Sequence, residues 1–399
     1  MEKKKVIIFG AGQIGRGFIG DFCSEENYYL IFVDIDKSLI ELLNKRKSYP
    51  LWILGKKKIV KKISNLKGIY FEETEKISDE IVDTPLIFTA VGANNLKNLA
   101  SVIALGIQKK FYKNSKSFLN VIICENLLGS SKILYSEISK KLSMDIQKYL
   151  KENVGFVETV VSRMVAPITE ELKKINPLLV RVESYNILPV DRKAFKGGIP
   201  KIKSFYPVDN LSQYEELKLF GHNLIHATVA YLGYLKGYNY IWEGMEDREI
   251  LEVLDGIIQE IKYAFIKKYK FSTKKIENYF YDLKKRFKNK LLEDTVYRVG
   301  REPIRKLGPK DRIIGAINFC LSQKIFPKNI CLVASACLCY NYQLDFEALK
   351  LQKFLKNKGV DFVLKNICKL KETRVYNLIK EKYEELKRFR EAGKTVPGK

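Results

Sequence analysis

The residues with the most chemistry to offer fall in one short stretch: Lys218, His222, Asn223 and His226, which includes both of the chain's two histidines. A histidine pair with three residues between is the zinc-ligand spacing of metalloproteases. Those enzymes need a glutamate directly after the first histidine, and Asn223 stands there instead. An amide is no general base, so the protease reading is poor. At about 100° per residue, Lys218, Asn223 and His226 share one broad helix face. Together they offer a proton acceptor, an amide and a hydrogen-bonding imidazole. Oxidising a secondary alcohol with a nicotinamide needs a base for the hydroxyl proton and donors for the developing alkoxide. A lysine can be that base if burial and nearby positive charge lower its pKa by about two to three units. His222 also lies on this face, so spacing does not choose between the histidines. On this stretch alone, a solvated lysine beside packing histidines is the better reading.

Arg301, Arg305 and Lys306 form a second concentration, in a segment broken by Gly300 and Pro303. A guanidinium fork suits phosphate oxygens, and an ammonium adds a point charge. In so basic a chain a solvated basic turn is the default explanation. Lys196 is a further candidate for the same anion.

The third feature is Gly10-Ala11-Gly12-Gln13-Ile14-Gly15, which follows an apolar run and opens a helical pattern. Glycines at this spacing are weak evidence alone; strand before, helix after and second strand beyond make it a dinucleotide turn. Gly10 permits the tight turn, Gly12 lets backbone approach a pyrophosphate, and Gly15 lets helix and sheet pack closely. The helix start offers unpaired N–H groups to phosphates. Asp34 closes the second strand, where a carboxylate accepts from a ribose diol and repels a 2′-phosphate, favouring NAD over NADP. Ala90-Val91-Gly92, after a later strand, is compatible with backbone lying along the cofactor.

These groups need elements to hold them. Apolar runs at 6–9, 29–33, 86–90 and 119–124 read as strands. Helical patterns cover 14–23 and 38–44 and begin again at Asn95 and Leu128. Residues 51–54 and 58–60 look like a hairpin, and 155–157 and 178–184 are expected to extend the sheet. The alternation predicts a Rossmann-type, doubly wound, mostly parallel sheet. From about Leu211 the apolar period becomes helical, so the second half is expected to be mainly helical. The boundary is placed in the Gly-, Pro- and Lys-rich stretch 197–207, giving an NAD-binding domain over 1–204 and a substrate domain over 205–399. The polar stretch from Glu391 reads as a loose tail.

At 399 residues the chain exceeds one ordinary core. Seven cysteines without a CxxC pair suit neither a disulfide framework nor a zinc site. Residues 330–340, the longest apolar run, are too short to cross a bilayer and read as a buried helix. The N-terminus lacks the length and cleavage site of a signal peptide. Cytoplasmic location, with no membrane partner, is therefore expected. The net charge of +25 is spread widely and accompanies no RNA-binding or zinc-finger signature, so no nucleic-acid partner is expected.

Taken together, further motifs carry a resemblance. They are Gly10 to Gly20 with Arg16; Cys124-Glu125-Asn126; 154–163 with Glu158 and Arg163; Phe195-Lys196-Gly197; Lys218-x4-Asn223-x2-His226; and Arg298 to Leu307. In this order, from residue 6 to about 312, the chain resembles the polyol-specific long-chain dehydrogenases. Within them it is most similar to the sugar-phosphate branch acting on mannitol 1-phosphate. The resemblance implies NAD-dependent, metal-free interconversion of mannitol 1-phosphate and fructose 6-phosphate by hydride transfer at C5. It makes Lys218 the general base, with Asn223 and His226 on the oxygen. Asn126 joins the cofactor site with Gly10 to Gly15, Asp34 and Ala90 to Gly92, and Arg301, Arg305 and Lys306 take the substrate phosphate. The implied partner is a small sugar or polyol phosphate; monomer and dimer stay open. Gln13, Glu158, Ser162, Ile187, Leu188 and Ile225 depart from the family pattern. Two other readings stay open: a related polyol or hexuronate dehydrogenase, of mannitol 2-dehydrogenase or tagaturonate/fructuronate reductase type, and a non-enzymatic, dinucleotide-sensing regulator that binds nucleic acid.

Overall fold

A computed structural model describes residues 4–114, 117–127 and 129–391. Lys3, Leu128 and the tail stretch 392–399 lie outside these residues. The chain divides into two compact units, Met1–Tyr214 and Glu215–Lys399.

Among the described residues, unit one contains eleven strands. They are β1 (Lys5–Phe9), β2 (Tyr29–Asp34), β3 (Tyr49–Leu54), β4 (Lys58–Ile63), β5 (Leu66–Tyr70), β6 (Leu86–Thr89), β7 (Leu119–Ile123), β8 (Val154–Glu158), β9 (Val180–Glu183), β10 (Leu188–Asp191) and β11 (Phe205–Val208). Six build one sheet in the order β5-β2-β1-β6-β7-β8, with every neighbouring pair parallel. Alternate residues feed two separate cores. Val6, Ile8, Leu30 and Phe32 face one side, while Ile7, Phe9, Ile31 and Val33 face the other. A sheet buried on both faces gives continuous apolar runs, which is why these strands are visible in the sequence. The strand order reverses between β1 and β6. Open α/β sheets bind ligands outside the carboxyl ends of strands at such a point.

Two strand expectations need correction. Residues 178–184 do not extend the main sheet; β9 pairs parallel with β3, whose other neighbour is antiparallel β4. Buried arginines hold the ends of β9. Arg16 Nη1 donates to Leu178 O (2.5 Å), and Arg163 Nε donates to Glu183 O (2.8 Å). Apolar alternation marks a strand but not the sheet it joins. Strand β5 was missed because Lys67 and Gly68 interrupt its apolar pattern.

Unit two is helical among the described residues. Helix Leu224–Leu235 is almost wholly buried. It contacts Arg248–Tyr269, Val296–Gly300 and Lys328–Leu338. The apolar run at 330–340 lies mostly in the last of these, as a buried helix. No helix among the described residues is long and apolar enough to cross a membrane. All seven cysteines are buried thiols.

Candidate active site

The glycine turn sits at the carboxyl end of β1, and its shape follows from contacts that exclude side chains. Gly10 has φ +97°, and a Cβ there would lie 2.3 Å from Ala90 O. A Cβ on Gly15 would lie 1.8 Å from Gly10 O, whereas one on Gly12 would meet nothing within 4 Å. Gly12 therefore leaves space that a ligand backbone can fill. Gln13 Oε1 is buried beside this space without a hydrogen-bond partner among the described residues. Asp34, at the end of β2, accepts from Ala11 N (2.6 Å) through Oδ2 and from Asp36 N (2.9 Å) through Oδ1. After β6, Ala90 and Val91 lead to Gly92 at φ +86°, with open space where its Cβ would be. Glu125 braces this loop. Its buried carboxylate accepts from Val91 N (3.0 Å) and the Thr89 hydroxyl, and burial raises its pKa. Asn126 lies exposed just beyond. The expected cofactor residues thus converge on the carboxyl edge at the switch point, and the open positions of Gly12 and Gly92 fit a dinucleotide.

The expected helix over 14–23 contains a π-helical turn, Gly15–Ile19, and Lys218 and Asn223 also lie in one, Leu217–Asn223. A π turn bonds i to i+5, disturbing the ordinary ladder, and recurs at functional sites. Both turns receive a tyrosine hydroxyl on an early carbonyl. Tyr49 donates to Arg16 O (2.7 Å) and Tyr279 to Leu217 O (3.3 Å). In the second turn the i to i+5 repeat brings Lys218 and Asn223, five residues apart, nearer one face than an α-helix would.

Lys218 is half-buried, and its pKa falls to about 7, first through desolvation and then through the positive charge of Arg312. His226 lies in the first turn of the α-helical continuation, Leu224–Leu235. Its ring stacks on Phe287, centroids 4.5 Å apart and planes 16° apart. Its Nε2 lies 2.9 Å from Asp294 Oδ2. Burial lowers the His226 pKa, Asp294 opposes that, and Arg298 and Arg312 reinforce it. His222 packs edge-on to Phe287, and burial, more than its positive neighbours, pushes its pKa well below the usual value. Asn223 is half-buried where the π turn ends.

A cavity of about 170 Å³ opens beside His226, lined by Arg298, Val299, Arg301, Glu302, Arg305, Lys306 and Arg312. Its lining is strongly basic, with Glu302 the sole carboxylate. The backbone turns at Glu302 (φ +60°), whose N–H donates to Asp345 Oδ2 (2.9 Å). Arg305 is held by Glu302 (2.7 Å) and Asp311 (2.9 Å). Lys306 donates to Val299 O and Arg301 O, and burial followed by Arg312 lowers its pKa to about 7. Arg301 is exposed, its Nε donating to Arg298 O (3.3 Å). Lys196 belongs to unit one, where its backbone N–H and carbonyl both bond Asn120.

Comparisons with known proteins match this two-unit arrangement. The mannitol dehydrogenase Rossmann domain profile matches residues 4–204, and the mannitol dehydrogenase C-terminal domain profile matches 210–388. The chain belongs to the mannitol dehydrogenase family. It is an oxidoreductase acting on CH–OH, a polyol dehydrogenase. Mannitol-1-phosphate 5-dehydrogenase of Thermoanaerobacter pseudethanolicus is 39% identical over 386 residues, covering 96% of this chain and 98% of that one. The enzyme of the same name from Clostridium acetobutylicum is 36% identical over 385 residues, covering 96% and 99%. Two solved structures share the fold. Substrate-free D-sorbitol dehydrogenase has a TM-score of 0.77 at 16% identity, covering 98% of this chain and 94% of that one. The Pseudomonas fluorescens mannitol 2-dehydrogenase complex with NAD and D-mannitol has a TM-score of 0.72 at 15% identity, covering 98% and 92%.

Four departures from the family pattern acquire a structural setting. In this mannitol dehydrogenase relative, Glu158 Oε1 accepts from Ser131 N (2.9 Å) and Ser130 Oγ (3.1 Å), capping the helix that begins at Ser130. Ile225 is fully buried, facing away from solvent. Ile187 is exposed and Leu188 is buried in β10. The sequence reading did not single out Phe287, Asp294 or Arg312, and quoted Arg298 only as part of a motif. Asp294 and Arg298 had one legible signal, opposite charges four residues apart. Phe287 and Arg312 had none, since their partners lie far away in sequence.

Proposed function

We propose that this polyol dehydrogenase interconverts D-mannitol 1-phosphate and D-fructose 6-phosphate with NAD as hydride carrier. The observation that carries the reading is the basic cavity beside His226, in the same helical unit as Lys218. The names of the relatives at 34–39% identity support the phosphorylated substrate. NAD, held by Gly10 to Gly15, Asp34, Ala90 to Gly92 and Asn126, supplies the acceptor for hydride leaving C5.

The chain's own residues handle charge and protons. Arg301, Arg305 and Lys306, joined by Arg298 and Arg312, take the phosphate. Neutral Lys218 accepts the C5 hydroxyl proton in oxidation and returns it to the oxygen in reduction. With its pKa near 7 it populates both forms at neutral pH, the range that suits an acid–base group. Asn223 and His226 hold the oxygen as its charge changes.

Following NADH absorbance with fructose 6-phosphate, fructose and free hexuronates tests the reading. Fructose 6-phosphate should be turned over with the highest kcat/KM. Equal or better turnover of fructose or a hexuronate would reassign the enzyme to a non-phosphorylated substrate. Arg301→Ala should raise KM for fructose 6-phosphate about ten- to hundredfold, the usual worth of one charged hydrogen bond, and leave KM for NADH unchanged. Asp34→Ser should remove the carboxylate facing the ribose site. The expected result is an NAD-over-NADP preference lowered about tenfold or more, read from kcat/KM with each cofactor.

A further inference from the structure

Asp311 stands behind the wall of the basic cavity, where two of the lining arginines meet. Arg305 and Arg312 both line the cavity, and Asp311 is not part of the lining. Its Oδ2 accepts from Arg305 Nη1 (2.9 Å). Its Oδ1 accepts from Arg312 Nε (2.8 Å) and from the Arg312 backbone N–H (2.6 Å). The carboxylate is half-buried. Burial, the largest influence, would raise its pKa, but Arg312 and then Arg305 bring it below the usual range, so it stays ionised at neutral pH. Successive backbone hydrogen bonds keep the three residues together. Gly308 N donates to Arg305 O (2.9 Å), Asp311 N to Gly308 O (3.1 Å) and Gly315 N to Asp311 O (2.7 Å). The helix that follows, Ile314–Ser322, carries Phe319, whose ring stacks on Phe220 of the Lys218 turn with centroids 5.3 Å apart. The arginine pair and the lysine therefore belong to one packed block.

We propose that Asp311 is a positioning residue for the substrate's phosphate, its two carboxylate oxygens setting Arg305 and Arg312 side by side so that their remaining donors face one anion in the cavity. This role rests on the phosphorylated-substrate reading above. A guanidinium carries five N–H donors and no acceptor. Asp311 takes Nε of Arg312 and one hydrogen on Nη1 of Arg305, while Glu302 takes Nε of Arg305. The far edges of both forks keep donors for phosphate oxygens. Two like charges side by side repel, and a carboxylate shared between them offsets that repulsion before an anion arrives. Long side chains ordered in advance also lose less freedom on binding.

Asp311→Asn isolates the effect. Its amide has one acceptor oxygen, and its NH2 would face a guanidinium that has only donors, so one arginine of the pair is released. The expected result is a KM for fructose 6-phosphate raised about tenfold, with KM for NADH unchanged. The preference for fructose 6-phosphate over fructose, as a ratio of kcat/KM values, should fall by a similar factor. A merely structural role would lower turnover of both sugars alike and leave that ratio in place. Calorimetric titration of the NADH-bound enzyme with inorganic phosphate, at fixed ionic strength, reads the site without turnover. The Kd for phosphate should also rise about tenfold in Asp311→Asn. Asp311→Glu keeps two acceptor oxygens and should recover much of the affinity. If Asp311→Asn does not fold, Asp311→Ser is read in the same way, since one hydroxyl cannot hold two guanidinium groups. An unchanged phosphate Kd in a folded variant overturns the proposal, and so does an unchanged sugar preference. If phosphate binding weakens as expected and the unaltered enzyme turns over no polyol phosphate, the substrate reading fails while the pairing of the arginines by Asp311 stands.

Discussion

Lys218→Ala is expected to lower kcat for fructose 6-phosphate reduction by about 10²- to 10⁴-fold while NADH binding persists. The magnitude is that of a lost general acid–base group. The binding expectation follows from separation in the fold, since the dinucleotide turn is built wholly from unit one and Lys218 belongs to unit two. The same lysine sets the direction of the pH response. Oxidation needs the neutral amine, so kcat/KM for mannitol 1-phosphate should rise with pH through about 7 and then level off. Reduction needs the ammonium, so kcat/KM for fructose 6-phosphate should fall as pH rises through the same value. Lys306 also has its pKa lowered to about 7, but it lines the basic cavity, where its proposed role is in substrate binding. Lys218→Ala should flatten the rising limb of oxidation, and Lys306→Met should leave that limb in place. A Lys218→Ala enzyme with normal rates would remove the mechanism.

The second large effect is expected at Gly15. An alanine Cβ there would lie 1.8 Å from the carbonyl oxygen of Gly10, and neither backbone can move without opening the turn between β1 and its helix. Strain and overpacking together should cost roughly 3 kcal/mol or more, seen as a lower unfolding temperature of the purified variant. Gly12→Ala is the control that separates fold from ligand. Its Cβ would meet nothing within 4 Å, so stability should change by no more than about 0.5 kcal/mol. Its Kd for NADH, from fluorescence titration, should rise about tenfold or more, because the methyl fills the space left for the pyrophosphate. Unchanged NADH affinity in Gly12→Ala would move the cofactor away from this turn.

The two predictions differ in how far they were readable beforehand. The glycine turn could be interpreted from the sequence because its physics is local. Strand, turn and helix follow one another within about twenty residues, and each glycine has a reason within that span. Asp34 was legible for the same reason, since it ends the next strand. Lys218 was legible only as a candidate. Spacing put it near Asn223 and His226, but it equally allowed a solvated lysine. The resemblance to a family, rather than the residues themselves, favoured chemistry. The π turn was invisible, because an α-helical period was assumed where the backbone bonds i to i+5.

What the sequence alone determined was the pair of architectures and where along the chain five of the main sheet's six strands lie. Burial on both faces writes itself into continuous apolar runs, and a helical surface writes itself into a 3.6-residue period. What only the tertiary structure decided was which distant groups meet. Phe287 and Asp294 reach His226 from more than sixty positions along the chain, and Arg312 reaches Lys218 from more than ninety. The lowered pKa of Lys218 belongs to no local pattern, because desolvation and the field of a guanidinium are sums over whatever the fold brings near. Residues 178–184 show the same division: their alternation announced a strand, and buried arginines on other elements settled which sheet received it.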